Sequence, residues 1–220
     1  MFKIYLITDR KLAAAHGGLI AIATAALAAA PAGTVALQLR EKDLDAGELL
    51  ELARELRIVC DRYGARLLVN DRLDVAIAAR ADGVHLPSNS FTIRDARALL
   101  GPDRLIGVST HDDGEVVMAS TARADFVVYG PVFDPLSKSA STMARGADGL
   151  RAAISVSSIP VFALGGINPA RVRELRAKIS IASPEDGEAS RAFGVAAIGA
   201  VFGATDAAAA MHELIDSLVS

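Results

Sequence analysis

Apolar residues come along this chain in short runs, and polar or glycine residues collect where each run ends. Eight runs stand out, at residues 3–8, 34–40, 66–70, 83–87, 105–109, 126–132, 160–164 and 194–199. Short apolar runs bounded by turn residues read as buried strands. Between them the spacing becomes helical. In residues 46–63 the apolar positions are 49, 52, 53, 56, 59 and 60, a stripe that faces a core at every turn of a helix. Residues 71–79, 92–100, 112–121, 149–157, 169–178 and 207–219 read as the later helices. Thr92 and Asn168 suit N-caps, the latter followed by Pro169 at the first helical position. Eight alternations of strand and helix in 220 residues predict a single α/β domain, residues 1–220, folded as a (β/α)8 TIM barrel. A doubly wound open sheet is the alternative.

Both architectures place binding groups at the carboxyl ends of parallel strands. Those ends carry Asp9, Arg40 with Lys42, Asn70 with Asp71, His85, Ser109 with His111, residues 130–138, and Gly165-Gly166. Residues 180–190, polar and holding Pro184 and Gly187, read as an exposed loop before the last strand.

Composition narrows the partners. The chain is 52% hydrophobic, with 5% aromatics and no tryptophan, so its core is built from Ala, Val, Leu and Ile, a set that suits helices packed on strands. A formal net charge of −3 supplies no basic stripe for nucleic acid, which leaves small anions held by local clusters. Cys60 is the one cysteine and lies on an amphipathic helix, where it reads as a small buried hydrophobe in a reducing compartment. Arg10-Lys11 followed by the apolar stretch 19–30 imitates a secretory signal ending at Ala28-Ala29-Ala30. Cleavage there would discard the first strand, and the run is too short to span a bilayer. The expected location is the cytoplasm, with no membrane partner, and the pattern leaves open whether the chain forms a homo-oligomer.

The richest stretch is Gln38-Leu39-Arg40-Glu41-Lys42. If the strand reaches Lys42, then Gln38, Arg40 and Lys42 share one face. Two cations and an amide converging at a strand end suit a diphosphate, arginine giving a planar fork and lysine a mobile charge; an exposed strand end with solvated charges has the same sequence. Asn70-Asp71 can supply an amide to phosphate and a carboxylate to Mg2+, which prefers oxygen ligands, or can cap the following helix. Gly83 fits a tight turn, and His85 fits either the core or the site. Ser109 and His111 bring a hydroxyl and an imidazole to the barrel mouth. Histidine generally titrates near neutrality, as a general acid or base should, although His111 also fits as a helix-entry residue, and no acidic partner for it follows from spacing. In the loop after the sixth strand, Ser137 and Lys138 can grip phosphate. Gly165-Gly166 after the seventh strand, with Gly199 after the eighth, sits where such barrels bind phosphate through backbone N–H groups. There is no zinc-type Cys/His spacing, no Gly-x-Ser-x-Gly elbow and no Gly-x-Gly-x-x-Gly after the first strand.

In order along the chain, Leu6-Ile7-Thr8-Asp9-Arg10, Gln38 to Lys42, Asn70-Asp71-Arg72, Ala81 to Leu86, Gly107 to His111, Gly130-Pro131-Val132-Phe133, Ser137-Lys138 and Gly165-Gly166-Ile167 resemble the thiamine-phosphate synthase and thiazole tautomerase family. The resemblance implies a TIM barrel that joins hydroxymethylpyrimidine diphosphate to thiazole phosphate with Mg2+, releasing diphosphate. It implies that Arg40, Lys42, Asn70 and Lys138 hold the leaving diphosphate, that Gln38 and Ser109 lie near the pyrimidine, that Asp71 ligates Mg2+, and that Gly166 offers backbone to the thiazole phosphate. The chain departs from the synthase pattern at three places. Pro87-Ser88-Asn89-Ser90 stands where a Gly-Gln-Glu-Asp run carries a second metal carboxylate, Asp134 to Lys138 lacks the loop's first threonine, and Gly199 stands for a serine. Residues 85–91 resemble the tautomerase branch, in which the residue matching His111 moves a proton on thiazole carboxylate phosphate. A tautomerase, an isomerase by reaction type, is therefore the alternative expectation, and a catalytically inactive barrel that binds phosphorylated ligands is a second.

Overall fold

The computed structural model describes residues 1–134, 143–179 and 193–219. Strands β1 (Ile4–Ile7), β2 (Val35–Leu39), β3 (Arg66–Asn70), β4 (Gly83–Leu86), β5 (Leu105–Thr110), β6 (Phe126–Tyr129), β7 (Val161–Ala163) and β8 (Gly194–Ala197) are joined by helices α1 (Arg10–Ala13), α2 (Leu19–Ala28), α3 (Ala46–Tyr63), α4 (Leu73–Ala78), α5 (Ile93–Leu100), α6 (Asp113–Thr121), α7 (Gly146–Val156), α8 (Pro169–Ile179), α9 (Gly199–Phe202) and α10 (Ala207–Val219). The strands pair in parallel and in chain order, and β1 closes on β8 with Tyr5 opposite Ala196. This is the (β/α)8 barrel, and the open-sheet alternative falls on the β1–β8 pairing.

Local chemistry explains most element ends. Asp45 and Glu48 form a capping box at the start of α3, and Thr92 accepts from the Asp95 N–H at 3.1 Å. Asn168 accepts from the Arg171 N–H at 3.0 Å, and Asp112 accepts from the Glu115 N–H at 2.9 Å. Helix α3 buries Leu49, Ala53, Leu56 and Cys60, the stripe its spacing predicts. Burial pushes the Cys60 thiol up to about 12, which keeps it an unreactive thiol in the core. The signal-like stretch is α2, whose Leu19, Ile22, Ala23, Ala26 and Leu27 are buried. No single helix among the described residues is long and apolar enough to cross a membrane.

Inside the barrel, Phe2, Tyr5, Phe126 and Phe162 make a small aromatic floor, with ring centroids 4.9–6.1 Å apart. Glycine makes room for it: a Cβ on Gly107 would lie 2.3 Å from the Phe126 ring, and one on Gly194 the same distance from Phe162. Gly83 is also a packing residue and not part of a turn. It lies within β4, where a Cβ would meet the Leu105 carbonyl oxygen at 2.0 Å.

Two further expectations need correction. Strand β2 ends at Leu39, so strand alternation does not carry the row to Lys42. Helix α4 begins at Leu73 behind Arg72, which makes no side-chain cap, so neither Asn70 nor Asp71 is an N-cap. The expected loop at 180–190 lies outside the described residues.

Candidate active site

Alternation along β2 turns Ala36 and Gln38 into the barrel, and Arg40 follows at its carboxyl end. The turn beyond is held by the turn after β1. The Arg40 N–H donates to Thr8 Oγ1 at 2.9 Å, and the Arg10 N–H donates to Glu41 Oε1 at 3.1 Å. Glu41 is buried, and that burial raises its carboxyl above the usual range, against the hydrogen bonds from Thr8 and the Arg10 N–H. Anchored on both sides, the turn leaves Arg40 and Lys42 exposed at the mouth, and neither forms an ion pair with a described residue. Uncompensated cations at one strand end are what an anionic ligand requires.

Asp71 follows Asn70 at the end of β3 with φ +64°. That backbone costs an ordinary residue about 1–2 kcal/mol and is better tolerated by Asp and Asn. Its N–H donates to the His85 carbonyl at 2.9 Å. Its Oδ1 accepts from the Ser90 hydroxyl. Arg72 turns away to Asp74, at 2.9 and 2.5 Å, so the Asp71 carboxylate is left without an ion pair among the described residues. No cluster of three or more His, Cys, Asp or Glu able to hold a metal occurs among them. Asp71 and Ser90 nevertheless offer two oxygen donors side by side. That set fits Mg2+, a hard ion that keeps several waters and takes further ligands from substrate phosphates.

Below this rim, the buried Tyr5, Gln38 and His85 and the half-buried Ser109 come from four strands into one cluster. His85 Nε2 lies 2.9 Å from Ser109 Oγ. Burial, and secondarily the Arg40 cation, drives the His85 ring down to about 3, so it is neutral in the folded protein. His111 stands higher, just before the Asp112 cap. Its Nδ1 is 2.6 Å from the Gly130 carbonyl, and since a carbonyl only accepts, Nδ1 carries the hydrogen of that bond and Nε2 is the nitrogen left for other partners. The acidic neighbour invisible to spacing is Glu115, which accepts from the His111 backbone N–H at 2.6 Å and does not hold the ring.

Gly165 and Gly166 turn the chain after β7 with φ of +105° and +58°. Arg171, on the first turn of α8, donates to the Gly166 carbonyl at 2.7 Å and lies 4.8 Å from the Phe133 ring centroid. It thereby ties the loop after β6 to the glycine turn. Gly199 is exposed and opens the four-residue α9. Ser137 and Lys138 lie outside the described residues.

The structure thus gathers Gln38, Arg40, Asn70, Asp71 and Ser109 at the carboxyl ends of β2, β3 and β5, with Lys42, His111 and Gly166 around the same mouth. Residue patterning overlooked Tyr5, Thr8, Glu41 and Arg171. Thr8 and Asp9 already marked the end of a strand, the one local hint; Tyr5 and Glu41 are given meaning only by partners distant in sequence, and Arg171 by Phe133 together with the nearby Gly166 carbonyl.

Comparison with known proteins shows the family and the fold. The family profile described as thiamine monophosphate synthase matches residues 4–201. A Geobacter sulfurreducens protein, provisionally named a thiamine-phosphate synthase, is 47% identical over 200 residues, covering 87% of this chain and 92% of its own. The thiamine-phosphate synthase of Moorella thermoacetica is 40% identical over 182 residues, 83% of this chain and 81% of that one. Among solved structures, thiamine phosphate pyrophosphorylase from Pyrococcus furiosus superposes with a TM-score of 0.82 at 32% identity, covering 99% of this chain and 96% of that one. A 3-hexulose-6-phosphate synthase with a TM-score of 0.63 and 18% identity shares the fold alone.

Proposed function

The chain belongs to the thiamine monophosphate synthase family, and from that membership we propose how its barrel mouth couples hydroxymethylpyrimidine diphosphate to thiazole phosphate with release of diphosphate. The activity is that of a thiamine-phosphate synthase, a transferase of thiamine biosynthesis. The observation that carries the assignment of residues is the convergence of Arg40, Asn70, Asp71 and Ser109 at the carboxyl ends of β2, β3 and β5.

In the proposed mechanism Gln38 and Ser109 orient the pyrimidine deep in the mouth. Arg40, Lys42, Asn70 and Lys138, helped by Ser137, hold the diphosphate. The bond from the pyrimidine methylene carbon to the diphosphate oxygen breaks, and its electron pair leaves with the diphosphate. As that negative charge grows the cations bind it more strongly, which lowers the barrier by favouring the transition state over the ground state. The thiazole, held through its phosphate at the Gly166 backbone, then gives its ring-nitrogen lone pair to the carbon and keeps the positive charge. No proton needs to be removed in that coupling, so His111 is not required as its base. Mg2+, when bound, supplies charge neutralisation to the diphosphate, and Asp71 with Ser90 would hold it. The same proposal puts the enzyme in the cytoplasm, a reducing compartment that suits its single buried cysteine.

His111, with Nδ1 committed to the Gly130 carbonyl and its other ring nitrogen free of that contact, is the observation that keeps thiazole tautomerisation as a second reading. A paired assay separates the readings: thiamine phosphate formation from both phosphorylated substrates with and without Mg2+, and isomer conversion of thiazole carboxylate phosphate alone. Mg2+-dependent thiamine phosphate formation is expected. Isomer conversion alone would move the assignment to the tautomerase, and ligand binding without either turnover would make the chain an inactive binding barrel.

A further inference from the structure

The assignment of Gln38 and Ser109 to the pyrimidine, on which this inference rests, draws attention to what lies beneath them. Tyr5 and His85 are enclosed there, 0% and 3% exposed, with ring centroids 5.6 Å apart. The Tyr5 phenol oxygen, Gln38 Nε2 and His85 Nδ1 are each buried without a hydrogen-bond partner of full geometry among the described residues. Burial raises the Tyr5 phenol, and the adjoining Gln38 side chain acts against that rise, as a donor to the phenol oxygen does. Buried polar atoms in native interiors pair with one another or share an ordered water.

A count of hydrogens decides the direction of that pairing. Gln38 Nε2 brings two hydrogens and accepts none, and the phenol brings one hydrogen and one accepting oxygen. With His85 Nδ1 protonated, the cluster would hold four hydrogens against one accepting atom. With Nδ1 bare, it holds three against two. A bridging water leaves the comparison unchanged, because it adds as many donors as acceptors.

We infer that Tyr5 and His85 are positioning residues that fix the hydrogen-bond polarity of the pyrimidine site, from Gln38 to Tyr5 to His85 to Ser109. Gln38 Nε2 donates to the phenol oxygen, the phenol donates toward His85 Nδ1, and His85 Nε2–H donates to Ser109 Oγ across the 2.9 Å contact. The Ser109 hydrogen is thereby left to donate to the substrate, while Gln38 Oε1 accepts from it. The site selects a heteroaromatic edge that offers a ring-nitrogen lone pair to Ser109 and an N–H to Gln38.

Long-range nitrogen–proton NMR correlation of histidine-labelled protein near neutral pH reads the tautomer directly, with His85→Asn identifying the signal. A His85 ring protonated at Nε2 alone is expected; a ring protonated at Nδ1, or at both nitrogens, overturns the polarity. Where His85→Asn disturbs the remaining histidine signals, the conservative Tyr5→Phe variant identifies the ring by its shift. In steady-state kinetics Tyr5→Phe should raise KM for the pyrimidine diphosphate about tenfold, the effect of one unsatisfied buried group, and leave KM for thiazole phosphate within about twofold. Equal changes in both constants, or none, would refute a positioning role. An Nε2–H tautomer in a chain that forms no thiamine phosphate would sink the proposed reaction and leave the polarity standing.

Discussion

At the scale of residues, the proposed mechanism divides the site into groups that meet ligand and groups that hold them there. Lys42 is exposed and without an ion pair among the described residues, so its ammonium is available to a leaving diphosphate, whereas His111 has no proton to move in the coupling. Lys42→Ala should lower the rate of thiamine phosphate formation about 100-fold, and His111→Ala should change it by less than about threefold; any isomerisation of thiazole carboxylate phosphate should show the reverse order. Equal losses in both reactions would count against that division of roles. The Asp71 carboxylate faces a comparable test. Asn tolerates the same left-handed backbone, so Asp71→Asn should keep the fold and cut Mg2+-dependent turnover about 100-fold. Ser90→Ala removes the hydroxyl that donates to that carboxylate and should raise the Mg2+ needed for half activity about tenfold, as a metal titration of initial rate would read. Arg40, Lys42 and Asp71 are legible in the sequence because charge at a strand end is a local signal. Thr8 and Glu41 are not, because the groups they hold lie 32 and 31 residues away.

At the scale of elements, caps and stripes follow from neighbours along the chain. Asp45, Thr92, Asp112 and Asn168 each accept from a backbone N–H three residues on, and the helices behind them start where the sequence says. The end of β2 and the start of α4 do not obey such signals. Leu39 is the last strand residue because the Arg40 N–H turns to the Thr8 hydroxyl, and α4 waits until Leu73 because Asp71 takes a left-handed backbone with its N–H on the His85 carbonyl. The strands also depend on contacts between aromatic and glycine residues on neighbouring strands. Gly107→Ala would drive a methyl group into the Phe126 ring, so it should destabilise the barrel by about 1–3 kcal/mol, measurable as a lower urea midpoint. An unchanged midpoint would mean that the aromatic floor shifts at little cost.

For the whole molecule, closure gives the barrel two faces with different work. The carboxyl ends of the strands hold the site, and the opposite face is tied by Asp82. Its carboxylate accepts from Arg57 at 2.5 Å, from Arg66 at 2.7 Å and from the Leu67 N–H at 2.8 Å, joining α3 and β3 to the turn before β4. Burial alone would raise the Asp82 carboxyl, but these bonds outweigh it and hold the group below the usual range. A carboxyl with a depressed folded value stabilises the fold above its unfolded value, about 3.9 for aspartate, and that contribution is lost as pH falls through the folded value. Asp82→Asn should therefore cost about 2 kcal/mol near neutral pH. Denaturant curves should show the gap to the parent chain narrowing as pH drops below about 4; a gap that persists in acid would mean that the ion pairs contribute little.

The sequence by itself determined the alternation of strands and helices, the caps at Thr92 and Asn168, the buried stripe of α3 and the polar residues at the strand ends, because each depends on neighbours a few positions away. It also carried the ordered motifs that relate the chain to its family. Only the tertiary structure decided that β1 closes on β8, that Glu41 and Thr8 hold the turn bearing Arg40 and Lys42, that Ser90 meets Asp71, and that Tyr5, Gln38, His85 and Ser109 share one cluster inside the barrel. Those contacts join residues far apart in the chain. A hydroxyl or an imidazole reads the same in sequence whether it faces water or a partner, and burial is what gives each of them a direction.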